Sequence, residues 1–475
     1  KDPFILSIQF TKFEASSTLA LNFSFSDNCV IDFLLLGSIC FNILSTFPII
    51  FSFVTFNSSI ICNALFKVRD VVPKQGIVTA IISVDCDEEM VRKALDKLVS
   101  HHDILRGTFT DRGIEILSSK EREVYSFKSV EAKEYLKNTG LEDERLVNVV
   151  FCKTEKENLI SITIHHFIVD LVSWEVLMED FKTAINSIKN NEEIRLPAKT
   201  ASFKKWSEIL EKYAETITEE NIAYWTRINE KLDNTKPLNT EDERNAAERS
   251  SFTFSAEFTT KLVDEANKSY GTRTNEILLT ALGIAISRFT GTDAGIVVES
   301  HGRTELDEPV ALERTAGWFT SCYPVVIKNS NNVTEELVNV KETVRRMPNN
   351  GIEYLILNEG FHKNTDVIFN FYRNSFEGNE KNKEFVSFQS ETSLFPNKIS
   401  VDCTVIDNIL TVNVAVAEGQ HKKNITGELC EEFRKQIEKI VDICTETEEV
   451  TKTRSDFSDT ELTESELDEL MDLFD

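Results

Sequence analysis

Apolar and polar positions alternate in a regular order once the chain passes about residue 67. The β-branched run IVTAIISV (77–84) predicts a strand, and Asp85 with Glu88 has the spacing of a capping box for a following helix. Val91, Ala94, Leu95, Leu98 and Val99 then recur at helical spacing, and this helix ends near His101. LVNVVFC (146–152) and NLISITIHH (158–166) predict two more strands. VSWEVLMEDFKTAINSI (172–188) carries Val176, Leu177, Phe181, Ala184 and Ile185 on one helical face.

A polar stretch, 189–250, separates this pattern from a second of the same kind. It holds a helical piece around Trp206 and Trp225, and its end reads as a connection between two lobes. SFTFS (251–255) predicts a strand, Asn275–Phe289 a long apolar helix, and GIVVES (295–300) another strand. Strands follow near 322–328, 366–372, 399–404 and 409–416, with a last helix at 427–443. The expectation is an α/β protein with an N-terminal lobe at 67–240 and a C-terminal lobe at 241–445.

Both ends differ from this pattern. Residues 1–66 carry six charges and 12 of the 33 phenylalanines, and no charge occurs from Phe33 to Phe66. The run is long enough to span a bilayer, but Ser, Thr, Asn and Pro interrupt it and no Lys/Arg cluster flanks it. A membrane anchor, a displaced N-terminal core segment and an artefactual segment all remain open readings. At the other end, 446–475 holds twelve Asp/Glu against Lys452 and Arg454, which reads as a solvated linker or tail, or as a tether between modules.

Composition narrows the function classes. A net charge of −27 disfavours nucleic acid and anionic membranes as partners. The nine cysteines lie far apart with no C-x-x-C and no Cys/His cluster at zinc spacing, as expected of reduced, buried thiols in a cytoplasmic protein without a metal. No Gly-rich phosphate loop is present. The candidate chemistry is His-His-Phe-Ile-Val-Asp at 165–170, directly behind an alternating strand. Neighbouring strand residues face opposite ways, so His165 and His166 are poor partners for one metal ion; one can face a cavity while the other packs inward. Taken alone, such a pair is more often structural.

HHFIVDLVSW (165–174) resembles the HHxxxDG signature of the condensation-domain superfamily of nonribosomal peptide synthetases, and the trailing VSW is typical of its epimerization branch. Further matches follow in family order. SHHDILRGTF (100–109) is similar to RHxxLRxxF, with Arg106 as the matching arginine, and EILLTALG (276–283) to DxLLxAxG. ESHGRT (299–304) resembles EGHGRE, and RTAGWFTSCYPV (314–325) resembles RTxGWFTxxYPV. PNNGIEY (348–354) and IFNFY (368–372) resemble PxxGxGY and FNY. RSDFSDTELTESELDEL (454–470) is similar to the linker that follows such domains.

The resemblance implies two chloramphenicol-acetyltransferase-like lobes in a V, with the active site in the tunnel between them. It implies epimerization, L to D at Cα, of an aminoacyl or peptidyl thioester carried on the phosphopantetheine arm of a peptidyl carrier domain. The domain itself would bind no cofactor, and its partners would be the carrier domain and neighbouring synthetase modules. By the same resemblance His166 and Glu299 are catalytic, with Tyr323 a candidate to place its hydroxyl at the tunnel. His165 is implied to pack, Asp170 to pair with Arg106, and His301 and Arg303 to organise the Glu299 strand. Amide formation and a catalytically inactive docking remnant are the alternatives. The departures are Leu171 where the family has Gly, expected to strain the turn or crowd the tunnel, Ser300 for Gly and Thr304 for Glu in ESHGRT, and the absence of the family's PIQxWF-like opening segment.

Overall fold

The computed structural model describes residues 77–457 apart from 111–112, 119–123, 132–140, 142–144, 155–157, 240–243, 374–398 and 448–449, together with three strands nearer the start. Those strands, β1 (Ser7–Phe10), β2 (Ala20–Ser24) and β3 (Val30–Leu34), form an antiparallel sheet within a separate unit, Lys1–Ser52. The apolar run beyond Leu34, and the choice among its three readings, lies outside the described residues. Among the described residues no helix is long and apolar enough to cross a membrane.

The first lobe follows the predicted order with small shifts. Its elements are β4 (Ile77–Val84), α1 (Glu88–His101), β5 (Gly107–Thr110), β6 (Gly113–Ile116), β7 (Ser126–Glu131), β8 (Val147–Lys153), β9 (Asn158–His165) and α2 (Leu171–Lys189). The sheet order is β4-β9-β8-β7, with β7 and β8 parallel, and β5 pairs with β6 in a separate hairpin. The cap of α1 is Asp87, which accepts from the Met90 amide, so the expected Asp85–Glu88 box is displaced. Helix entry comes directly before Glu88, and an N-cap must immediately precede the first helical residue. Val91, Ala94, Leu95, Leu98 and Val99 are buried against the same core as Trp174, Leu177 and Phe181 of α2.

The polar stretch after α2 contains two capped helices, α3 (Phe203–Ala214, capped by Ser202) and α4 (Glu219–Leu232, capped by Thr218). α3 joins the first core, whereas Trp225, Ile228 and Leu232 of α4 join the second. The second lobe contains β10 (Arg244–Asn245), β11 (Glu248–Thr253), α5 (Thr274–Thr290), β12 (Ala294–Ser300), β13 (Ser321–Ile327), α6 (Val333–Arg345), β14 (Val367–Arg373), β15 (Ile399–Ile406), β16 (Ile409–Val416), β17 (Gly419–Gln420) and α7 (Ile425–Glu446). Six strands form one sheet in the order β11-β16-β15-β14-β12-β13. β14 runs parallel to both its neighbours, and the other pairs are antiparallel. Alternation sends Val401, Cys403, Val412 and Val414 into the core with α5 and α7, and Ser400, Asp402, Thr404 and Asn413 to the opposite, half-open face.

The end of the chain is not wholly a solvated tail. Lys341 of α6, fully buried, donates to the Tyr270 carbonyl at 2.7 Å and to Asp456 at 2.6 Å, and Arg345 donates to Asp456 at 3.0 Å and to Glu276 at 2.9 Å. The Asp456 carboxylate thereby docks the segment up to Phe457; the remainder of the acidic stretch lies outside the described residues.

Glu353, fully buried, joins the two cores. It accepts from Tyr213 Oη on α3, from Asn221 Nδ2 (2.7 Å) and Trp225 Nε1 (3.0 Å) on α4, and from Asn349 Nδ2 (2.8 Å). A donor left unmatched in the interior costs about 1–3 kcal/mol. Glu353→Leu is therefore expected to destabilise the chain by about 3 kcal/mol or more in urea unfolding. Glu353→Gln, which keeps one acceptor oxygen, should lose markedly less.

Candidate active site

On the first lobe the site begins where β9 ends. His165 points inward, its Nδ1 accepting the Phe167 amide at 3.2 Å and its ring meeting Phe109 edge-on at 5.0 Å between centroids. The chain then makes a single 3₁₀ turn, His166–Ile168, before Asp170 caps α2 through the Ser173 amide at 2.7 Å. This turn places the half-buried His166 ring against Trp318, with centroids 5.8 Å apart. Burial pushes the His166 pKa below its ordinary value, while nearby backbone carbonyls and Asp170 pull more weakly the other way. His166 is therefore a neutral imidazole at neutral pH.

On the second lobe the site begins where β12 ends. Glu299 lies opposite Cys322 of β13 and is half-buried. Burial, reinforced by the charge of Asp402, pushes its pKa up to about 8. Asp402 itself is raised by burial only to about 6, with Ser400 opposing the shift. Sequence reading did not single out Asp402. The available signal was its polar face, because Ser400, Asp402 and Thr404 alternate with Ile399, Val401, Cys403 and Val405. After Glu299 the backbone swings through Gly302, whose φ is +64°; a Cβ there would lie 1.7 Å from the Phe319 carbonyl oxygen. Only glycine fits this turn.

Four residues beyond each candidate, the two halves are joined. Arg303 donates to Asp170 in a forked ion pair, Nη1 to Oδ2 at 2.7 Å and Nη2 to Oδ1 at 3.0 Å, and both side chains are buried. The Phe319 amide also donates to Asp170 at 3.1 Å, and Arg303 lies 4.1 Å over the Phe319 ring. Ser173 Oγ and Gly317 exchange two further hydrogen bonds at 2.8 and 3.0 Å. The segment from His301 to Phe319 thus crosses onto the first lobe, where Leu312, Ala316 and Phe319 enter the first core. A second link is Tyr372 Oη of β14, which donates to Glu175 of α2 at 3.2 Å.

Three sequence expectations are corrected. Arg106 does not pair with Asp170. Its guanidinium closes the turn after α1 by donating to the Val99 carbonyl at 2.6 Å, the Leu117 carbonyl at 3.0 Å and Asp103 at 2.8 Å. Tyr323 does not share the face of Glu299: it is in register with Val298, so the pleat turns it into the second core, against Gly351 and 6.3 Å from Trp225. Leu171 strains nothing, since it is the first residue of α2 and has no left-handed backbone. His301 supports the turn, its Nδ1 accepting the Arg303 amide at 3.0 Å.

His101, His102 and Asp180 bring three possible ligand atoms within 4.8 Å of one another. Asp180 is already occupied, however, by His102 Nε2 at 2.8 Å and Arg314 Nη2 at 2.5 Å. The cluster is a hydrogen-bonded hub on the buried Asp180, with Arg314 as its ion-pair partner, and it joins α1, α2 and the crossing segment. It explains the arginine of the RTAGWFT stretch.

The condensation-domain family model matches residues 77–463. The chain belongs to the condensation-domain family. It is 30% identical over 440 residues to gramicidin S synthase 1 of Brevibacillus brevis, covering 82% of this chain and 40% of that protein. It is also 30% identical over 430 residues to tyrocidine synthase 2 of Brevibacillus parabrevis, covering 81% of this chain and 12% of that protein. The chain therefore spans less than half the length of these relatives. Among solved structures, the epimerization domain from the third module of tyrocidine synthetase B superposes with a TM-score of 0.67 at 27% identity, over 78% of this chain and 93% of that one. The condensation domain of monacolin K polyketide synthase also reaches 0.67, at 13% identity over 82% and 97%, and shares the fold. The two-lobed chloramphenicol-acetyltransferase-like architecture of this condensation-family domain agrees with the sequence expectation.

Removing one partner of a buried ion pair strands the other, at a cost of about 3–5 kcal/mol. Arg303→Met should lose stability on this scale in urea unfolding. Arg303→Lys keeps the charge but not the fork, and should recover only part of the loss.

Proposed function

We propose that this condensation-family domain inverts Cα of an aminoacyl or peptidyl thioester presented on the phosphopantetheine arm of a carrier domain. The observation that carries this reading is placement: Glu299 ends β12, His166 follows β9, and the Asp170–Arg303 pair joins the turns behind them, with burial raising the Glu299 pKa to about 8. Amide formation needs help for an incoming amine, whereas inversion needs a proton taken from one face of Cα and another delivered to the opposite face. A carboxyl still protonated at neutral pH is such a donor, and a neutral imidazole is the complementary acceptor. The ESHGRT stretch and the likeness to an epimerization domain support the same choice.

The thioester carbonyl acidifies the adjacent Cα–H. Neutral His166 takes this proton, and the bond pair passes into the carbonyl as an enolate. The Glu299 carboxyl then delivers its proton to the other face of Cα, leaving an imidazolium and a carboxylate. The carboxylate and imidazolium left by this step run the reaction in reverse, and exchange with water returns both groups to their starting states. The reading requires no resident cofactor. Its partners are the carrier domain and neighbouring synthetase modules, in a cytoplasmic assembly. With a net charge of −27, docking falls to a local basic or apolar patch rather than to the overall field.

The test is Cα deuterium incorporation in heavy water, using carrier proteins loaded with L-aminoacyl and dipeptidyl thioesters. Glu299→Gln and His166→Ala should each reduce exchange by about 10²–10⁴-fold. Amide formation that survives Glu299→Gln, in a folded chain that never shows exchange, would overturn the reading in favour of condensation.

The pH profile provides a second check. Activity should fall on the acid side as His166 becomes protonated, below the ordinary histidine value of about 6.5, because its pKa is lowered. It should fall on the alkaline side near pH 8, where Glu299 loses its proton. A profile still rising through pH 9 would remove Glu299 as the acid.

A further inference from the structure

The half-open face of the second sheet carries a row of polar side chains whose positions follow from register. Ser251 lies beside Asn413, Asn413 beside Asp402, and Asp402 beside Asn370. Val298 is in register with Phe369, so the next residue along each strand sets Glu299 beside Asn370 on the same face. Asp402 thus stands two strands from Glu299, about 10 Å away between strand axes. Both side chains project to one side with the neutral Asn370 between them, and Cys322, on the other flank of Glu299, is a neutral thiol.

Asp402 accepts from Ser400, and among the described residues no lysine, arginine or histidine forms an ion pair with it. A carboxylate largely withdrawn from water and paired with no cation among the described residues is a seat for one. The proposed substrate carries a suitable cation one bond from the reacting carbon: the α-ammonium of an aminoacyl thioester. A peptidyl donor has a neutral amide at that atom and would leave the carboxylate unpaired.

We infer that Asp402 receives the α-ammonium of the donor and makes the site selective for aminoacyl over peptidyl thioesters, an inference that rests on the epimerase reading. The two carboxyls then divide their work. Asp402, at about 6, is ionised at neutral pH, whereas Glu299, at about 8, keeps the proton it delivers. Holding the ammonium charged also acidifies Cα–H, since the positive charge withdraws electron density from the adjacent carbon.

The test measures binding and turnover separately. Titration calorimetry on the full chain uses a panel of α-amino acyl pantetheinamides with their N-acetyl and α-hydroxy counterparts. The ammonium probes should bind roughly ten- to a hundredfold more tightly than either neutral series, the range of a charge-assisted hydrogen bond. Asp402→Asn should erase that preference while leaving N-acetyl binding unchanged. Equal binding of charged and neutral probes, or a preference that survives Asp402→Asn, would overturn the assignment. If the variant does not fold, the ammonium against α-hydroxy comparison in the unaltered chain decides the matter. Ammonium preference without any Cα exchange would keep Asp402 and sink the epimerase reading. Exchange that is equal for aminoacyl and dipeptidyl donors and indifferent to Asp402→Asn would do the reverse.

Discussion

The fork between Asp170 and Arg303 holds the rest of the site in place. Burying an ion pair is costly, and only good geometry with satisfied remaining valences offsets the lost hydration. The geometry is good and most remaining valences are filled, although Arg303 Nε is buried without a hydrogen-bond partner among the described residues. Asp170 also accepts from the Ser173 and Phe319 amides, while Arg303 reaches the Thr315 carbonyl and lies over Phe319. The pair ties the turn behind His166 to the turn behind Glu299. Two side chains from different lobes, far apart in the chain, are therefore held at one junction.

Burial then sets the chemistry by acting oppositely on two kinds of group. Loss of water disfavours any charged form, so it raises a carboxyl and lowers an imidazole. Glu299 keeps its proton and His166 lacks one, and Asp402 adds to the first effect through its own charge. A single cause, partial enclosure by Trp318 on one side and the second sheet on the other, shifts the two groups in opposite directions.

The same crossing segment accounts for the longest sequence motif. In RTAGWFTSCYPV, Arg314 meets Asp180 and Glu179, Gly317 joins Ser173, Trp318 faces His166, and Phe319 enters the first core. Each of these residues serves the junction between lobes. Tyr323, from the same motif, lies beyond the junction on the inner face of β13 and has a packing role. Membership of one motif thus does not give its residues one function.

Much of this was legible in the linear pattern, because helix and strand periods are local properties of the backbone. The strands from Ile77 and Asn158, the helices behind them and the six-stranded second sheet all lie near their predicted positions, and the family resemblance of HHFIVDLVSW and ESHGRT singled out His166 and Glu299. Short elements with weak alternation escaped, such as the β5–β6 hairpin. What the sequence by itself determined was therefore the order of elements and the ends of β9 and β12. Only the tertiary structure decided that Asp170 pairs with Arg303 and not Arg106, that Tyr323 turns inward, and that Asp402 stands in the row with Glu299. Those facts depend on strand register and on contacts between residues up to 149 positions apart, which no local period encodes.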